Sequence, residues 1–143
     1  MAKPYMEKNL SSLAGEFAVA SQLCLRGYVA SLTLKNYPGV DVFAFNPKNG
    51  KQVTIQVKAS TDGAFNSPKT LSKNGSLIYV SIKKDKTLEF YIIPADIVIK
   101  TRETKMKEYL DKHPTTSKDQ PMWLGGEEHF SKFKDRWDLL GLD

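Results

Sequence analysis

The sequence feature that most restricts the fold is an unbroken polar–apolar alternation over residues 52–58, Gln-Val-Thr-Ile-Gln-Val-Lys. Side chains alternate between the two faces of a β-strand, so Val53, Ile55 and Val57 would face one way and the polar residues the other. The pattern predicts a half-buried strand whose second face, carrying Gln56 and Lys58, is in contact with water.

A helix is predicted before this strand, over residues 6–26. Apolar residues recur there at steps of three and four and form one stripe, which the helix is expected to bury. These residues are Leu10, Leu13, Phe17, Ala20 and Cys24. Ser11 or Ser12 is the candidate cap of the first turn, and Gly27 is a natural stop.

Turn residues divide the rest of the chain into further segments. Strands are predicted over 28–34, 40–45, 77–83 and 88–93, a long polar loop over 59–76, a partial helix over 95–112 and a last helix near 127–140. This order predicts an α/β (α+β) sandwich with a central mixed β-sheet flanked by helices. The 143 residues fit one domain, with a core over 1–112 and a C-terminal helical extension over 113–143.

Composition excludes several classes of protein. No apolar run reaches the roughly 18 residues that span a bilayer, so no membrane partner is expected. The first residues lack the apolar stretch of a signal peptide, which makes the cytoplasm the expected location. Cys24 is the only cysteine, which excludes an internal disulfide. With only His113 and His129 beside it, the chain also lacks the ligands of a structural zinc site.

The positive charge is unevenly distributed. The net charge is +5, and residues 1–112 hold 17 Lys and Arg against 10 Asp and Glu, whereas the last 31 residues hold 4 against 6. Lys and Arg neutralise phosphates, so a basic body with a mildly acidic tail is compatible with a polyanionic partner such as nucleic acid.

The pairing between the strands over 40–45 and 52–58 decides whether polar side chains gather. If 47–50 is a four-residue hairpin loop, Asp41 falls opposite Gln56 and converges with it and Lys58 at one end of the hairpin. The same register places two phenylalanines on the polar face. A shift by one residue would bury them and turn Asp41 away, and a bulge near Asp41 would satisfy both demands. Spacing leaves these arrangements open.

Three short motifs resemble those of a known superfamily. They are Gly15-Glu16 in the opening helix, Gly39-Val40-Asp41-Val42, and Ile55-Gln56-Val57-Lys58. Their order, spacing and placement on helix, strand and strand resemble the PD-(D/E)XK nuclease superfamily. The likeness is nearest to the branch with archaeal-type Holliday-junction resolvases and Mrr-type restriction endonucleases, where the third motif is often Q-x-K. It covers residues 10–60 approximately.

The resemblance implies a restriction-endonuclease-like sandwich that begins helix–strand–strand–strand, and a nuclease that hydrolyses phosphodiester bonds, with DNA as the expected substrate. It implies Mg²⁺ or Mn²⁺ as cofactor, held by Asp41, Gln56 and the backbone carbonyl of Val57. Lys58, Gln56 and Glu16 are the implied catalytic residues, with Lys58 acting on the attacking water or on the transition-state charge. Pairing of two copies to cut two strands makes a homodimer an expectation.

Gln56 leaves a second hypothesis open. Its amide oxygen brings no charge where an acid is usual, so the chain is alternatively a catalytically weak or inactive module that binds nucleic acid or a partner protein. A toxin- or phage-related interaction protein that reuses the fold is a third hypothesis. In either nucleic-acid hypothesis, Ser60, Lys69 and Lys73 are the candidate contacts to the phosphate backbone.

Overall fold

The computed structural model describes residues 5–34, 38–117 and 122–143. The turn predicted at 37–39 and the polar stretch at 113–120 lie partly outside them. The described elements are α1 (Lys8–Leu25), β1 (Val29–Leu32), β2 (Val42–Phe45), β3 (Gln52–Ser60), β4 (Ala64–Asn66), β5 (Ser76–Ile82), β6 (Leu88–Pro94), α2 (Ala95–Lys112), β7 (Trp123–Gly126) and two short 3₁₀ helices, Ser131–Phe133 and Trp137–Leu140. Neither α-helix is long and apolar enough to cross a bilayer.

Five strands form one mixed sheet in the order β1-β2-β3-β5-β6. β3 and β5 are parallel, and the other neighbours in the sheet are antiparallel. β4 and β7 form a separate antiparallel pair. The prediction of an α+β sandwich with a central mixed sheet is therefore confirmed.

Alternation along the strands supplies a separate apolar core to each face of the sheet. On one face, Val19 and Leu23 of α1 pack with Ile55 of β3. On the other face, Leu77 and Tyr79 of β5 pack with a larger set. That set includes Val98 and Met106 of α2, Leu124 of β7, and Phe65, Phe130 and Phe133. Because successive residues of β3 face opposite cores, Gln56 and Lys58 lie on the α2 side, where they pair with Leu77 and Tyr79.

The face of α1 that packs on the sheet differs from the predicted stripe. The buried residues are Ser11, Gly15, Val19 and Leu23, whereas Leu10 is 57% exposed and Phe17 is 59% exposed. The reason is the close approach at Gly15, where a Cβ atom would lie 2.6 Å from the Cβ of Ala59. Small residues let the helix lie directly on β3, and the bulkier stripe then faces away.

The ends of α1 are only partly as predicted. Glu7 is the N-cap and its carboxylate accepts the N–H of Asn9 at 3.3 Å, so neither Ser11 nor Ser12 caps the helix. Gly27 follows the helix with φ +92°, a conformation that favours glycine, and the predicted stop is confirmed.

The β2–β3 hairpin adopts the register in which 47–50 is the loop. Val42 pairs with Ile55, and Phe43 pairs with Thr54. The N–H of Asp41 donates to the carbonyl of Ile55 at 2.8 Å, so Asp41 and Val42 both oppose one residue of β3, as in a β-bulge. Phe43 stays on the face of Thr54, half-buried, with its ring 6.4 Å from that of Phe45.

Two predicted segments are wrong in detail. The loop predicted over 59–76 contains the end of β3 and all of β4, and β4 pairs with β7 far along the chain. The last helix predicted near 127–140, within a helical extension, is instead two short 3₁₀ helices. Phe130, Phe133 and Trp137 have helical spacing and are buried, but Asp135 has φ +55° and interrupts any continuous helix.

The end of the chain holds the hairpin loop that precedes β3. The side-chain amides of Asn46 and Asn49 donate to the carbonyl of Leu142, at 2.8 and 3.1 Å. Leu142 itself is 1% exposed. The hydroxyl of Tyr28 donates to Asp143, which raises the pKa of the phenol. β3, which carries Gln56, and β2, which follows Asp41, are thereby anchored at the end of the hairpin opposite these two residues.

Candidate active site

A cavity of about 470 Å³ opens between the amino half of α1, the start of β2 and the second half of β3. Side chains from separate elements line it: Glu16, Asp41, Gln56, Lys58 and Ser60. Val57, which lies between Gln56 and Lys58 in β3, also lines the cavity. The structure thus brings together six of the eight site residues predicted from the sequence.

The carboxylate of Asp41 is held in place by β3. Its Oδ2 accepts the Gln56 Nε2–H at 3.0 Å and the backbone N–H of Val57 at 2.8 Å. Its Oδ1 receives no hydrogen bond from the described residues. The bulge lies directly beside this contact, since the Asp41 N–H donates to the carbonyl of Ile55, two residues before Val57.

Gln56 presents a buried oxygen without a partner. Its Nε2 is engaged with Asp41, while Oε1 is buried and accepts no hydrogen bond from the described residues. Leaving a buried acceptor unsatisfied costs about 1–3 kcal/mol. A cation or a donor group beside Asp41 would remove that cost.

The donor set is compatible with a hard divalent ion. Mg²⁺ takes oxygen ligands and is commonly bound by one or two carboxylates together with water and substrate phosphate. The cavity offers the carboxylate of Asp41, the orphan oxygen of Gln56 and the carboxylate of Glu16. No group of three or more His, Cys, Asp or Glu that could hold a metal exists among the described residues. The described residues thus offer oxygen ligands suited to one hard ion, without a cluster of three such side chains.

The predicted ligand role of the Val57 carbonyl remains a prediction. The contact that the structure shows is made by the other end of the peptide unit, the N–H of Val57, which donates to Asp41. This hydrogen bond positions the carboxylate.

Lys58 is the half-buried amine of the cavity. Burial lowers the pKa of its ammonium group, the nearby Asp41 carboxylate opposes this by raising the pKa, and Lys8 lowers it further. No hydrogen bond or ion pair joins Lys58 to the described residues. A lowered pKa increases the fraction of neutral amine, the form that can accept a proton from water.

The balance of charges around Lys58 can be tested with two substitutions of opposite sign. Asp41→Asn should lower the pKa of Lys58 further, because it removes the attractive carboxylate. Lys8→Gln should raise the pKa, because it removes a like charge. NMR titration of the Lys58 ¹³Cε and ¹⁵Nζ resonances in the three proteins measures both shifts. Shifts in the same direction in both variants would contradict this assignment of causes.

Ser60 lines the cavity, but its hydroxyl is engaged within the fold. Ser60 Oγ donates to the carbonyl of Ala64 at 2.7 Å and lies 2.7 Å from the hydroxyl of Tyr79. Since the Ser60 proton goes to Ala64, Tyr79 is the donor in the second contact. These bonds tie the end of β3 to β4 and to β5, and a contact from Ser60 to phosphate remains a prediction.

Lys69 and Lys73 do not line the cavity. Both are exposed, and Lys69 borders a smaller cavity beside Arg102 and Glu103 of α2. Their contact with nucleic acid remains a prediction, and such a contact would lie outside the group formed by Asp41, Gln56 and Lys58.

Several residues of the cavity were not predicted. Lys8 and Ser12 of α1 line it, as does Asp62 between β3 and β4. A sequence signal existed for two of them, because Lys8, Ser12 and Glu16 recur at steps of four and share one side of a helix. No such signal exists for Asp62, which reaches the cavity through the turn into β4.

Comparison with known proteins adds no relative to this geometry: no protein-family model matches the chain, and no curated protein matches it by sequence.

Proposed function

We propose that this chain is a metal-dependent nuclease that hydrolyses phosphodiester bonds, with DNA as its substrate. The observation that carries the proposal is the meeting of Asp41, Gln56 and Lys58 in one cavity. A fixed carboxylate, a buried oxygen without a partner and a half-buried amine are together suited to hold a cation and to serve an attacking water.

Asp41, Gln56 and Glu16 would hold Mg²⁺ or Mn²⁺. Such an ion, when bound, neutralises the charge that develops on the phosphoryl oxygens and makes water a better nucleophile. The Val57 N–H keeps the Asp41 carboxylate oriented. The neutral amine of Lys58 orients the attacking water and accepts its proton, and the resulting ammonium stabilises the negative charge of the transition state. Lys8, on the rim, adds a second positive charge toward the phosphate.

Nucleic acid as partner is supported by the charge of the chain. The 17 basic against 10 acidic residues over 1–112 favour a polyanion. Binding should weaken steeply with salt, because contacts to phosphates release counterions.

The second candidate function is a catalytically weak or inactive module that binds nucleic acid or a partner protein. One observation favours it. Position 56 holds an amide, which donates to Oδ2 of Asp41, whereas a carboxylate at the same position would strengthen metal binding. The amine of Lys58 favours the enzyme, since a pure binding module gains nothing from a half-buried lysine with no ion pair to the described part of the chain.

The substitution Gln56→Glu tests the metal site directly. It places a second carboxylate within about 3 Å of Asp41. Without metal, their repulsion should lower the melting temperature below that of the wild type. Mn²⁺ should restore it, and Mn²⁺ affinity by calorimetry should rise at least about tenfold. Asp62→Glu, which only lengthens an exposed acid of the same cavity, is the matched control.

Cleavage assays decide between the two candidate functions. Wild-type protein should cut labelled DNA with Mg²⁺ or Mn²⁺ and not with chelator, and Lys58→Ala should slow cutting by about 10²–10⁴-fold. If wild type binds DNA without cutting it, and Gln56→Glu gains neither metal nor activity, the binding module is the better description. Residual cutting in the absence of divalent ions would contradict the metal requirement.

A further inference from the structure

A second cavity, of about 620 Å³, adjoins the candidate active site. Asp62 and Ala64, at the turn into β4, line both cavities, so the two meet at these residues. The second cavity is also lined by Trp123 of β7 and Lys105 of α2. Its volume lies in the roughly 300–1,000 Å³ range that is usual for small-molecule sites. A chain molecule bound in the candidate active site can therefore continue into this cavity.

Trp123 is a large aromatic side chain that the fold leaves outside its core. It is 60% exposed, whereas the next residue of β7, Leu124, is fully buried against α2 and β5. Successive side chains of a strand face opposite sides, so Trp123 faces outward because Leu124 faces the core. An exposed indole forgoes most of the stabilisation that burial of its apolar surface would supply. Folding stability therefore does not account for a tryptophan at this position.

Gly125 keeps the space beside the indole open. A Cβ atom at Gly125 would lie 3.9 Å from Cη2 of Trp123 and 3.2 Å from the Cβ of His129, and both of these residues line the cavity. Gly125 has φ +89°, a conformation that favours glycine. The two rings are thus gathered around a backbone position without a side chain, which leaves room for a flat ligand.

Lys105 places a positive charge at the same indole. Its Nζ lies 5.3 Å from the centre of the Trp123 ring, in a cation–π contact. The cavity lining also holds the acids Asp62 and Glu128, so Lys105 offers a single phosphate site and not a basic track. An aromatic surface with one cation beside it matches the two parts of a nucleotide. The base can stack on the indole, and the phosphate can bind the ammonium group.

We propose that the second cavity binds one unpaired nucleotide of the DNA, with its base stacked on Trp123 and its phosphate held by Lys105. Bases inside a continuous duplex are stacked on one another and cannot stack on a side chain. The inference rests on the proposed function, and it specifies the substrate class: DNA with a single-stranded segment next to the bond that is cut.

Tryptophan fluorescence tests the stacking without metal and without cleavage. The chain has two tryptophans, and Trp137 is only 8% exposed, so quenching by a ligand reports on Trp123. In the presence of chelator, a mixed-sequence single strand of about 12 nucleotides should quench the emission in a saturable way. A blunt duplex of the same sequence should quench it much less. Equal quenching by the two forms would overturn the requirement for an unpaired base.

Substitutions assign the binding to individual side chains. Trp123→Ala should weaken binding of a labelled single strand, followed by fluorescence anisotropy, at least about fivefold, and Trp123→Phe, which keeps a ring, should lose less. Phe17→Ala is the matched control, because Phe17 is 59% exposed and lies outside the lining of both cavities. It should bind like wild type. Lys105→Gln should lower the slope of log affinity against log salt by about 0.7. Circular dichroism establishes that the variants are folded.

An abasic scan of the single strand locates the stacked base. The abasic position that weakens binding to the wild type should have no further effect on Trp123→Ala, because both changes remove the same contact. Equal affinity of Trp123→Ala and Phe17→Ala for the single strand would overturn the nucleotide site and leave the proposed reaction standing. Binding that depends on Trp123 in a protein that never cuts DNA would support the nucleotide site and contradict the nuclease. Absence of binding to every form of DNA at low salt would overturn both.

Discussion

Replacement of Asp41 by asparagine is expected to lower metal-dependent DNA cleavage by at least about 10²-fold. Loss of a residue that only supports a metal ligand costs about 10–100-fold, and Asp41 would be the principal ligand itself. Asparagine keeps the shape of the side chain, and its Oδ1 can still accept the N–H of Val57, so the fold should be retained. What the asparagine variant lacks is the negative charge of Asp41 beside the Gln56 oxygen that has no hydrogen-bond partner.

Asp62→Asn provides the matched control for this substitution. Asp62 is an exposed carboxylate in the same cavity, and it accepts the N–H of Ala64 at 3.1 Å through Oδ1. Its loss should change the cleavage rate by less than about tenfold, because an exposed charge is screened by solvent. Initial rates on duplex, branched and single-stranded DNA, in Mg²⁺ and in Mn²⁺, compare the two variants. Cleavage by Asp41→Asn at the wild-type rate would place the reaction elsewhere or in a contaminant.

Gly126→Ala is expected to cause the largest loss of folding stability among single methyl additions. A Cβ atom at Gly126 would lie 1.8 Å from the carbonyl oxygen of Gly63 and 2.7 Å from the Cα of Ala64. These are backbone atoms, so the overlap is relieved only by separating β7 from β4. We expect a loss of about 3 kcal/mol or more, and a fall in melting temperature of roughly 10 °C.

Gly50→Ala is the control that separates the effect of atomic overlap from the effect of backbone strain. Gly50 has φ +77°, and a Cβ atom there would meet no atom within 4 Å. Its substitution should cost only the left-handed conformation, about 1–2 kcal/mol. Urea unfolding measures both variants. Hydrogen exchange of the Glu127 amide, which donates to Gly63 at 3.0 Å, shows whether β4 and β7 have separated. Equal losses of folding stability in Gly126→Ala and Gly50→Ala would contradict atomic overlap as the cause of the Gly126→Ala effect.

The β2–β3 hairpin could be predicted because its determinants are local. The alternation over 52–58 assigns residues to faces, and the four-residue loop over 47–50 sets one register in which Asp41 reaches Gln56. Spacing could not choose that register over its alternatives, because the choice depends on Ile55 accepting the Asp41 amide. The convergence of Asp41, Gln56 and Lys58 could therefore be predicted from the sequence. The hydrogen bond from the Val57 N–H that orients the Asp41 carboxylate could not.

The orientation of α1 could not be predicted from hydrophobicity. Two stripes share the helical period, and the one with larger side chains, Leu10 and Phe17 among them, is the exposed one. The buried stripe is defined by the small size of Ser11 and Gly15. Its advantage depends on Ala59 in β3, a partner far away in the sequence.

The β4–β7 pair escaped prediction for a similar reason. Residues 64–66 are too short to show a period, and Gly125 and Gly126 are more typical of turns than of strands. Their strand conformation follows from pairing between segments about sixty positions apart. With that pair missing, the sequence could not indicate that Asp62 borders the cavity.

The contact between Gly15 and Ala59 also sets the width of the cavity. α1 already rests on β3 with no space for even a methyl group, so this helix can move only outward from the sheet. Glu16, which directly follows Gly15 and lines the cavity, is therefore held at its minimum separation from β3. A ligand that needed more room beside Glu16 would have to lift the helix, and lifting would break the packing of Val19 and Leu23 on the sheet. The close contact thus makes the helical side of the cavity a fixed boundary and leaves the other sides to adjust to a ligand.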